Sequence, residues 1–205
     1  MDSSPPDVIR EVLSHRVKRP VDDPTLTPAA VMLLLYSKDG NYCVLLNKRS
    51  EEVEYHKGEI SFPGGAQDPE DKDFLETALR ETEEEMGIDR ADITILGELD
   101  DVATTSRFHV NVFVGSIGYP YKFKPSAVEI AEVLEVPIDS LLDPANLRVE
   151  TRWQDGKPVT SYAYAYDEHV IFGATARILH QFLELLSDGL SQEEHRVDYS
   201  SSDRN

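Results

Sequence analysis

The strongest constraint on the fold is one helix whose two ends are both marked in the sequence DPEDKDFLETALRETEEEMGI. Asp68 can cap the helix with Pro69 at its first position, and a start nearer Asp71 is an alternative. Gly87 suits a left-handed terminator, with Ile88 supplying the hydrophobic contact beyond it. The segment therefore predicts a helix that ends at a fixed place and presents one face to a core.

The predicted helix is unusually acidic at its C-terminal end. Its apolar face consists of Leu75, Ala78, Leu79, Thr82 and Met86. At about 100° per residue, Glu81, Glu84 and Glu85 fall together on the opposite side. Glu83 points to a different flank, which it shares with Glu76. Three carboxylates therefore occupy one patch.

Two explanations of this carboxylate patch remain open from spacing alone. Like charges three or four residues apart repel by roughly 0.2–0.5 kcal/mol per pair, and a helix C-terminus prefers cations. A solvated acidic face is the ordinary explanation. The alternative is a divalent-metal site, because hard cations bind carboxylate oxygens together with substrate phosphates. The glycine pair Gly64-Gly65, just before the helix, lets backbone approach such a ligand closely.

Composition narrows the classes of partner. The chain has 205 residues, a length that fits one domain. Its net charge of −19 repels nucleic acid polymers and anionic membranes. A polyphosphate substrate would need cations to approach. No apolar run reaches the ~20 residues of a membrane span, and the N-terminus lacks a secretory signal pattern. Cys43 is the only cysteine, so we expect a reducing, cytoplasmic setting.

The rest of the sequence predicts a mixed α+β chain with three parts. Residues 1–28 form an N-terminal helix (7–17) and a connector, 29–186 form one domain, and 187–205 form a polar tail that we expect to be disordered. The apolar runs 29–36 and 41–49 form a hairpin around Asp39-Gly40. Further strands are expected in ITILGELDDVAT, HVNVFVGSIG, EVLEVP and SYAYAYD, and VIFGATARILHQFLELL turns from a strand end into a helix. Tyr162, Tyr164 and Tyr166 share one strand face, and we expect them to pack rather than stack on a base.

The acidic helix resembles the Nudix box, G-x5-E-x7-R-E-U-x-E-E-x-G-U, in which U is a bulky apolar residue. Arg80-Glu81, Glu84-Glu85 and Gly87-Ile88 match it. Thr82 stands where an aliphatic residue is usual. One extra residue lies between Gly65 and Arg80, so that Asp71 rather than Lys72 is the substitute for the first glutamate of the box.

The extra residue recurs in a Nudix subgroup that resembles coenzyme A (CoA) pyrophosphatases. Its upstream pattern, close to L-L-T-x-R-[SA]-x3-R-x3-G-x3-F-P-G-G, is matched by residues 45–50, Gly58 and residues 62–65. Asn47 replaces the threonine, and Glu54 replaces the second arginine. The sequence FGATA at 172–176 resembles a later Trp-Gly-x-Thr-Ala element of the subgroup.

This resemblance implies the Nudix fold, an α/β/α sandwich with a mixed sheet, and Mg²⁺- or Mn²⁺-dependent hydrolysis of a pyrophosphate linkage. The implied metal ligands are Glu81, Glu84, Glu85 and the Gly65 carbonyl. The implied substrate is CoA or a thioester of it, giving 3′,5′-ADP and 4′-phosphopantetheine or its acyl form.

Roles in catalysis and substrate binding are less tightly specified. Glu84 and Glu81 are candidate catalytic residues, and a glutamate from a later loop, Glu129 or Glu132, is an alternative general base. The candidates for substrate binding are Arg49, whose fork suits phosphate, His56, Phe62 and Gly64. Each candidate also has an ordinary explanation. Glu129, Glu132 and Arg49 can be charged residues on exposed strands, His56 can be a solvated loop histidine, and Phe62 can simply shape the loop. Arg80 is expected to hold the loop against the helix.

Other functions stay open at this point. Glu54 in place of arginine leaves ADP-ribose, a dinucleotide or a nucleoside triphosphate as alternative substrates. A catalytically silent Nudix domain that senses a nucleotide is a further alternative, against which the complete set Glu81, Glu84 and Glu85 argues. The sequence leaves a homodimer open.

Overall fold

The described structure, a computed structural model, covers residues 4–52, 57–154 and 156–202. The helices are α1 (Pro5–Ser14), α2 (Phe74–Met86), α3 (Ile138–Leu142) and α4 (Gly173–Ser202), with 3₁₀ turns at Arg90–Asp92 and Pro144–Asn146. The strands are β1 (Thr27–Lys38), β2 (Asn41–Arg49), β3 (Ile60–Ser61), β4 (Gly64–Ala66), β5 (Thr94–Glu98), β6 (Val102–Ala103), β7 (Phe108–Ser116), β8 (Ile130–Pro137), β9 (Leu147–Gln154), β10 (Lys157–Tyr166) and β11 (His169–Ile171).

The central sheet is mixed, as the sequence predicted. Strands β3, β2, β1, β7 and β5 are neighbours in that order, while β4, β6 and β8 pair with β1, β7 and β2. Only the β1–β7 pair is parallel among the pairings of the described chain. The hairpin between β1 and β2 turns at Asp39 and Gly40, which have φ of 50° and 86°. Positive φ at both positions is the signature of a two-residue hairpin turn.

Residues 29–36 of strand β1 form an apolar run because both faces of this part of the strand are buried. Leu33 and Leu35 pack in one core with α1 and α4. Met32 and Leu34 pack in a second core with α2. A strand buried on both faces reads as a continuous apolar run rather than an alternating one. The result is a layer of sheet between helices, which is the predicted α/β/α sandwich.

Helix α2 begins later than the sequence predicted. Its N-cap is Asp73, whose side chain accepts a hydrogen bond from the Glu76 amide, so the helix starts at Phe74 rather than at Asp68 or Asp71. The Asp71 carboxylate is instead bound to Arg80. The C-terminal end agrees with the prediction, because Gly87 has a left-handed φ of 64° and Ile88 is fully buried.

The C-terminal segment differs from the predicted disordered tail. Helix α4 continues through residue 187 to Ser202, and residues 203–205 of the predicted tail lie outside the described residues. Gly189 allows this helix to approach α1 closely, since a Cβ there would lie 2.6 Å from Val8 and 2.8 Å from Val12. Leu190 also packs against the core. None of the helices in the described ranges has both the length and the hydropathy that crossing a bilayer requires.

A small second sheet, in the order β11, β10 and β9, was only partly predicted. Strand β10 includes the alternating tyrosines, and Tyr164 is buried in the core with Tyr162 and Tyr166 packed beside it. The packing interpretation of these tyrosines is therefore confirmed. Strand β9, LRVETRWQ, was not predicted from the sequence.

Candidate active site

The three carboxylates of the patch differ strongly in exposure. The Glu85 side chain is 2% exposed, Glu81 is 18% exposed and Glu84 is 59% exposed. Exposure therefore falls from Glu84 through Glu81 to Glu85, and Glu85 contacts the loop 62–65 through the Gly64 amide. Glu83 lies apart and binds Arg90, which also approaches Glu76, as the helical spacing predicted.

Glu85 is buried against strand β2 and the glycine loop. Its Oε2 accepts hydrogen bonds from the Asn47 side chain and from the Gly64 backbone amide, both at 3.1 Å. Arg49 Nη1 lies 3.1 Å from its Oε1. A solvated acidic face has no need of such contacts. Burial, with smaller contributions from the charges of Glu81 and Glu129, nevertheless raises the pKa of Glu85 to about 7.

Glu81 lies against the other glycine of the loop. A Cβ built on Gly65 would be 2.5 Å from the Glu81 carboxyl carbon, so the glycine lets the Glu81 carboxylate lie in its present position against the loop. Burial raises the pKa of Glu81, and the charges of Glu84 and Glu129 add to this, while Arg80 opposes it. The loop and the helix face are therefore shaped around closely spaced carboxylates that resist ionising together.

Arg80 joins the loop before α2 to the acidic face. It binds Asp71 through two nitrogens, Nε and Nη2, both at 2.9 Å, and its Nη1 reaches Glu81 at 2.8 Å and Glu84 at 3.3 Å. The Arg80 guanidinium holds the pKa of Asp71 well below its usual range. A two-point contact of this kind fixes orientation as well as distance. This contact attaches the loop before α2 to the helix, which is the role expected of Arg80.

The later glutamates lie in two different surroundings. Glu129 lies close enough for its charge to raise the pKa of Glu81 and of Glu85, and its backbone oxygen binds the Ser50 amide. Glu132 instead approaches His169 of β11, 3.3 Å away. Of the two alternative bases, Glu129 is the one whose charge acts on Glu81 and Glu85.

The candidate substrate-binding residues are also separated by the structure. Arg49 faces the patch through its contact with Glu85. Phe62 is almost fully buried in the core, where it shapes the loop rather than offering a surface to a ligand. Gly64 donates its amide to Glu85. His56 and Glu54 lie outside the described residues.

Asn47 contacts the carboxylate patch, although from the sequence it was only a departure from a pattern and not a predicted site residue. Its amide donates to Glu85, while its carbonyl oxygen accepts from Ser61 at 2.7 Å. A strand places residues two apart on the same face. The signal for Asn47 was therefore its position two residues before Arg49, since both had to face the same neighbour.

The donor set fits a hard divalent cation, although the carboxylates now bind arginines. In the described ranges no three acidic, histidine or cysteine side chains already have the spacing of a metal cluster. Glu81 and Glu84 share Arg80, and Glu85 binds Arg49. Carboxylate oxygens that lie beside a backbone carbonyl are the type of ligand that Mg²⁺ or Mn²⁺ prefers.

Comparison with known proteins identifies the family. The model described as NUDIX domain matches residues 26–151, and this chain belongs to the Nudix family. The uncharacterized Nudix hydrolase NudL of Photorhabdus laumondii is 33% identical over 76% of this chain and 83% of its own. NudL of Pectobacterium atrosepticum is 36% identical over 71% of this chain and 76% of its own. A MutT/nudix family protein from Enterococcus faecalis has a TM-score of 0.53 at 16% identity, covering 85% of this chain and 67% of that one, which shows a common fold.

Because Glu85 is buried, we expect the free energy of unfolding to depend on pH. Its pKa of about 7 exceeds the ~4.3 of an unfolded chain. The folded protein therefore binds this proton more tightly, and the stability it contributes is present below pH ~4.3 and lost as pH rises through 7. We expect the metal-free protein to lose about 3 kcal/mol through Glu85 between these limits.

Urea unfolding in EDTA between pH 5 and 8 measures this effect. The Glu85→Gln variant, which cannot ionise, should show a flatter dependence than the wild type. Parallel curves for the two proteins would contradict a raised pKa at Glu85.

Proposed function

We propose that this protein is a divalent-metal-dependent hydrolase of the pyrophosphate bond in CoA or its thioesters, producing 3′,5′-ADP and 4′-phosphopantetheine or its acyl form. The observation that supports it most is the meeting of Glu81, Glu84 and Glu85 with Arg49 at the glycine loop. The pattern in residues 45–65 that resembles CoA pyrophosphatases supports the choice of substrate.

The cation would be held by Glu81, Glu84 and Glu85, with the Gly65 carbonyl as a further ligand. When bound, Mg²⁺ or Mn²⁺ supplies Lewis acidity that polarises phosphoryl oxygens and lowers the pKa of water. It also offsets the repulsion between a diphosphate and a chain of net charge −19.

The protein's own groups position the substrate and move the proton. Arg49 lies at the inner end of the patch, where its guanidinium can bind a phosphate in place of Glu85. Arg80, fixed by Asp71, holds Glu81 and Glu84 in position relative to the loop. Glu84 is the most exposed of the three carboxylates and is our first choice to accept the proton of the attacking water. Glu129 is the second choice, and Glu81 and Glu132 follow.

The test of substrate is direct. Purified protein is incubated with CoA and Mn²⁺ or Mg²⁺, and the products are separated by mass. We expect 3′,5′-ADP and 4′-phosphopantetheine in equal amounts, and none with EDTA. Absence of phosphopantetheine at any metal concentration would exclude CoA as substrate.

A second substrate class is favoured by Glu54, which stands where the CoA pattern has arginine. ADP-ribose, a dinucleotide such as a diadenosine polyphosphate, and a nucleoside triphosphate should therefore be assayed beside CoA. Turnover of one of these without turnover of CoA would keep the chemistry and change the substrate. Nucleotide binding without any turnover, unchanged in Glu85→Gln, would instead support a sensor.

A further inference from the structure

A two-stranded arm formed by β9 and β10 extends from the domain with little cover. Apart from its inner end at Leu147 and Tyr164, most of its residues are exposed on both faces. Trp153, the only tryptophan of the chain, is 77% exposed, and Val149 and Val159 are also exposed. Isolated two-stranded ribbons are marginally stable in water, and exposed apolar clusters commonly mark interaction sites.

Strand β9 is an edge strand that lacks several of the usual protections against pairing. In the described part of the chain it pairs with β10 alone, in an unbroken register. Its sequence, LRVETRWQ, contains neither proline nor lysine, and no bulge interrupts it. Natural edge strands generally use such devices to avoid adding a further strand.

The register shows which backbone groups of β9 face outward. Gln154 pairs with Lys157 across a two-residue connection, so this pair is hydrogen-bonded and the pairs alternate from there. Pro158, which has no N–H, falls opposite Trp153 in a non-hydrogen-bonded pair, as this alternation requires. The free N–H and C=O groups therefore belong to Val149, Thr151 and Trp153.

We propose that β9 pairs with β9 of a second copy of this chain, antiparallel, with the two-fold axis at Thr151. In this register Trp153 lies opposite Val149 of the other copy, and the three outward residues form a continuous hydrogen-bonded ladder. On the other face, Glu150 lies opposite Arg152 of the other copy, twice by symmetry. Cross-strand pairs of opposite charge and of apolar residues both stabilise such a ladder.

Charge favours a second copy as the occupant of this edge. Two chains of net charge −19 repel each other over most of their surfaces. Strand β9 lacks this acidic excess, because Arg148 and Arg152 flank a single glutamate that both contact, and Glu150 and Arg152 become cross-strand partners when two copies pair about Thr151. A register centred on Glu150 would set like charges opposite each other. A register centred on Val149 would leave Trp153 without its partner.

Charge exchange tests the pairing. Glu150→Arg and Arg152→Glu each place two like-charged pairs at the proposed interface, so each variant should be monomeric by sedimentation at concentrations where the wild type is a dimer. Mixing the two variants makes both pairs complementary and should restore a dimer. Circular dichroism shows whether the variants fold. A monomeric wild type, or variants that dimerise as well as it does, would overturn the proposal.

Cysteine substitution tests the register. Hydrogen-bonded antiparallel partners have Cα atoms about 5.5 Å apart, within disulfide range, so Thr151→Cys should cross-link under mild oxidation. Val149→Cys places its two cysteines about 14 Å apart in the same register and should not cross-link. The wild type, whose Cys43 is buried, is the control. Cross-linking of Val149→Cys without Thr151→Cys would contradict the proposed axis.

Discussion

Glu84→Gln is expected to lower kcat by about 10²- to 10⁴-fold while leaving the protein folded. This is the usual contribution of a positioned proton acceptor, and the substitution also removes one charged oxygen from the proposed metal site. Glu84 is 59% exposed, and its contact with Arg80 is a 3.3 Å surface pair. Loss of such a pair changes stability by no more than ~1 kcal/mol.

Glu83→Gln is the matched control for this substitution. It neutralises the preceding residue of α2, which binds Arg90 away from the patch. We expect its kcat to stay within about twofold of wild type. Steady-state rates with CoA and Mn²⁺, or with whichever substrate the panel identifies, measure both variants. Equal losses of kcat in the two variants would show that the total negative charge of α2 matters, and not the position of Glu84.

Gly64→Ala is expected to lower stability by about 3 kcal/mol and to abolish activity as a consequence. Gly64 has a φ of 151°, which side chains rarely adopt. Its added Cβ would meet the backbone oxygen of Ala30 and lie 2.6 Å from the Val31 Cα, neither of which can move without displacing β1. Overpacking typically costs about 1–3 kcal/mol and backbone strain a similar amount.

Gly65→Ala provides the contrast to Gly64→Ala. Its Cβ would meet only the end of the flexible Glu81 side chain, so urea unfolding should be close to that of wild type. Activity should fall nevertheless, because Glu81 must turn away from the loop. If Gly64→Ala unfolded at the same urea concentration as Gly65→Ala, the close contact between β4 and β1 would not constrain the loop.

Local signals in the sequence account for much of the fold. Gly87 marked the end of α2, and Asp39-Gly40 marked the first hairpin, because each position needs a left-handed backbone. The predicted start of α2 was wrong because Asp71 does not cap the helix but forms an ion pair with Arg80, nine residues later. A capping rule considers only near neighbours in the sequence. The pair Asp155-Gly156 carries the same hairpin signal as Asp39-Gly40 and could have revealed β9.

The depth of the site could not be predicted from helical spacing. Spacing placed Glu81, Glu84 and Glu85 in one patch, but it could not show that Glu85 is buried. That burial depends on Asn47, Arg49 and the loop, which approach from 20 to 40 residues away in the sequence. For the same reason the raised pKa of Glu85 follows from tertiary packing.

The most direct test of the account is a crystal of the protein soaked in Mn²⁺, with anomalous diffraction used to locate the ion. The account predicts a peak within coordination distance of Glu81, Glu84 and Glu85, with Glu85 released from Arg49. Anomalous density absent from this face, with the carboxylates still bound to Arg80 and Arg49, would contradict it.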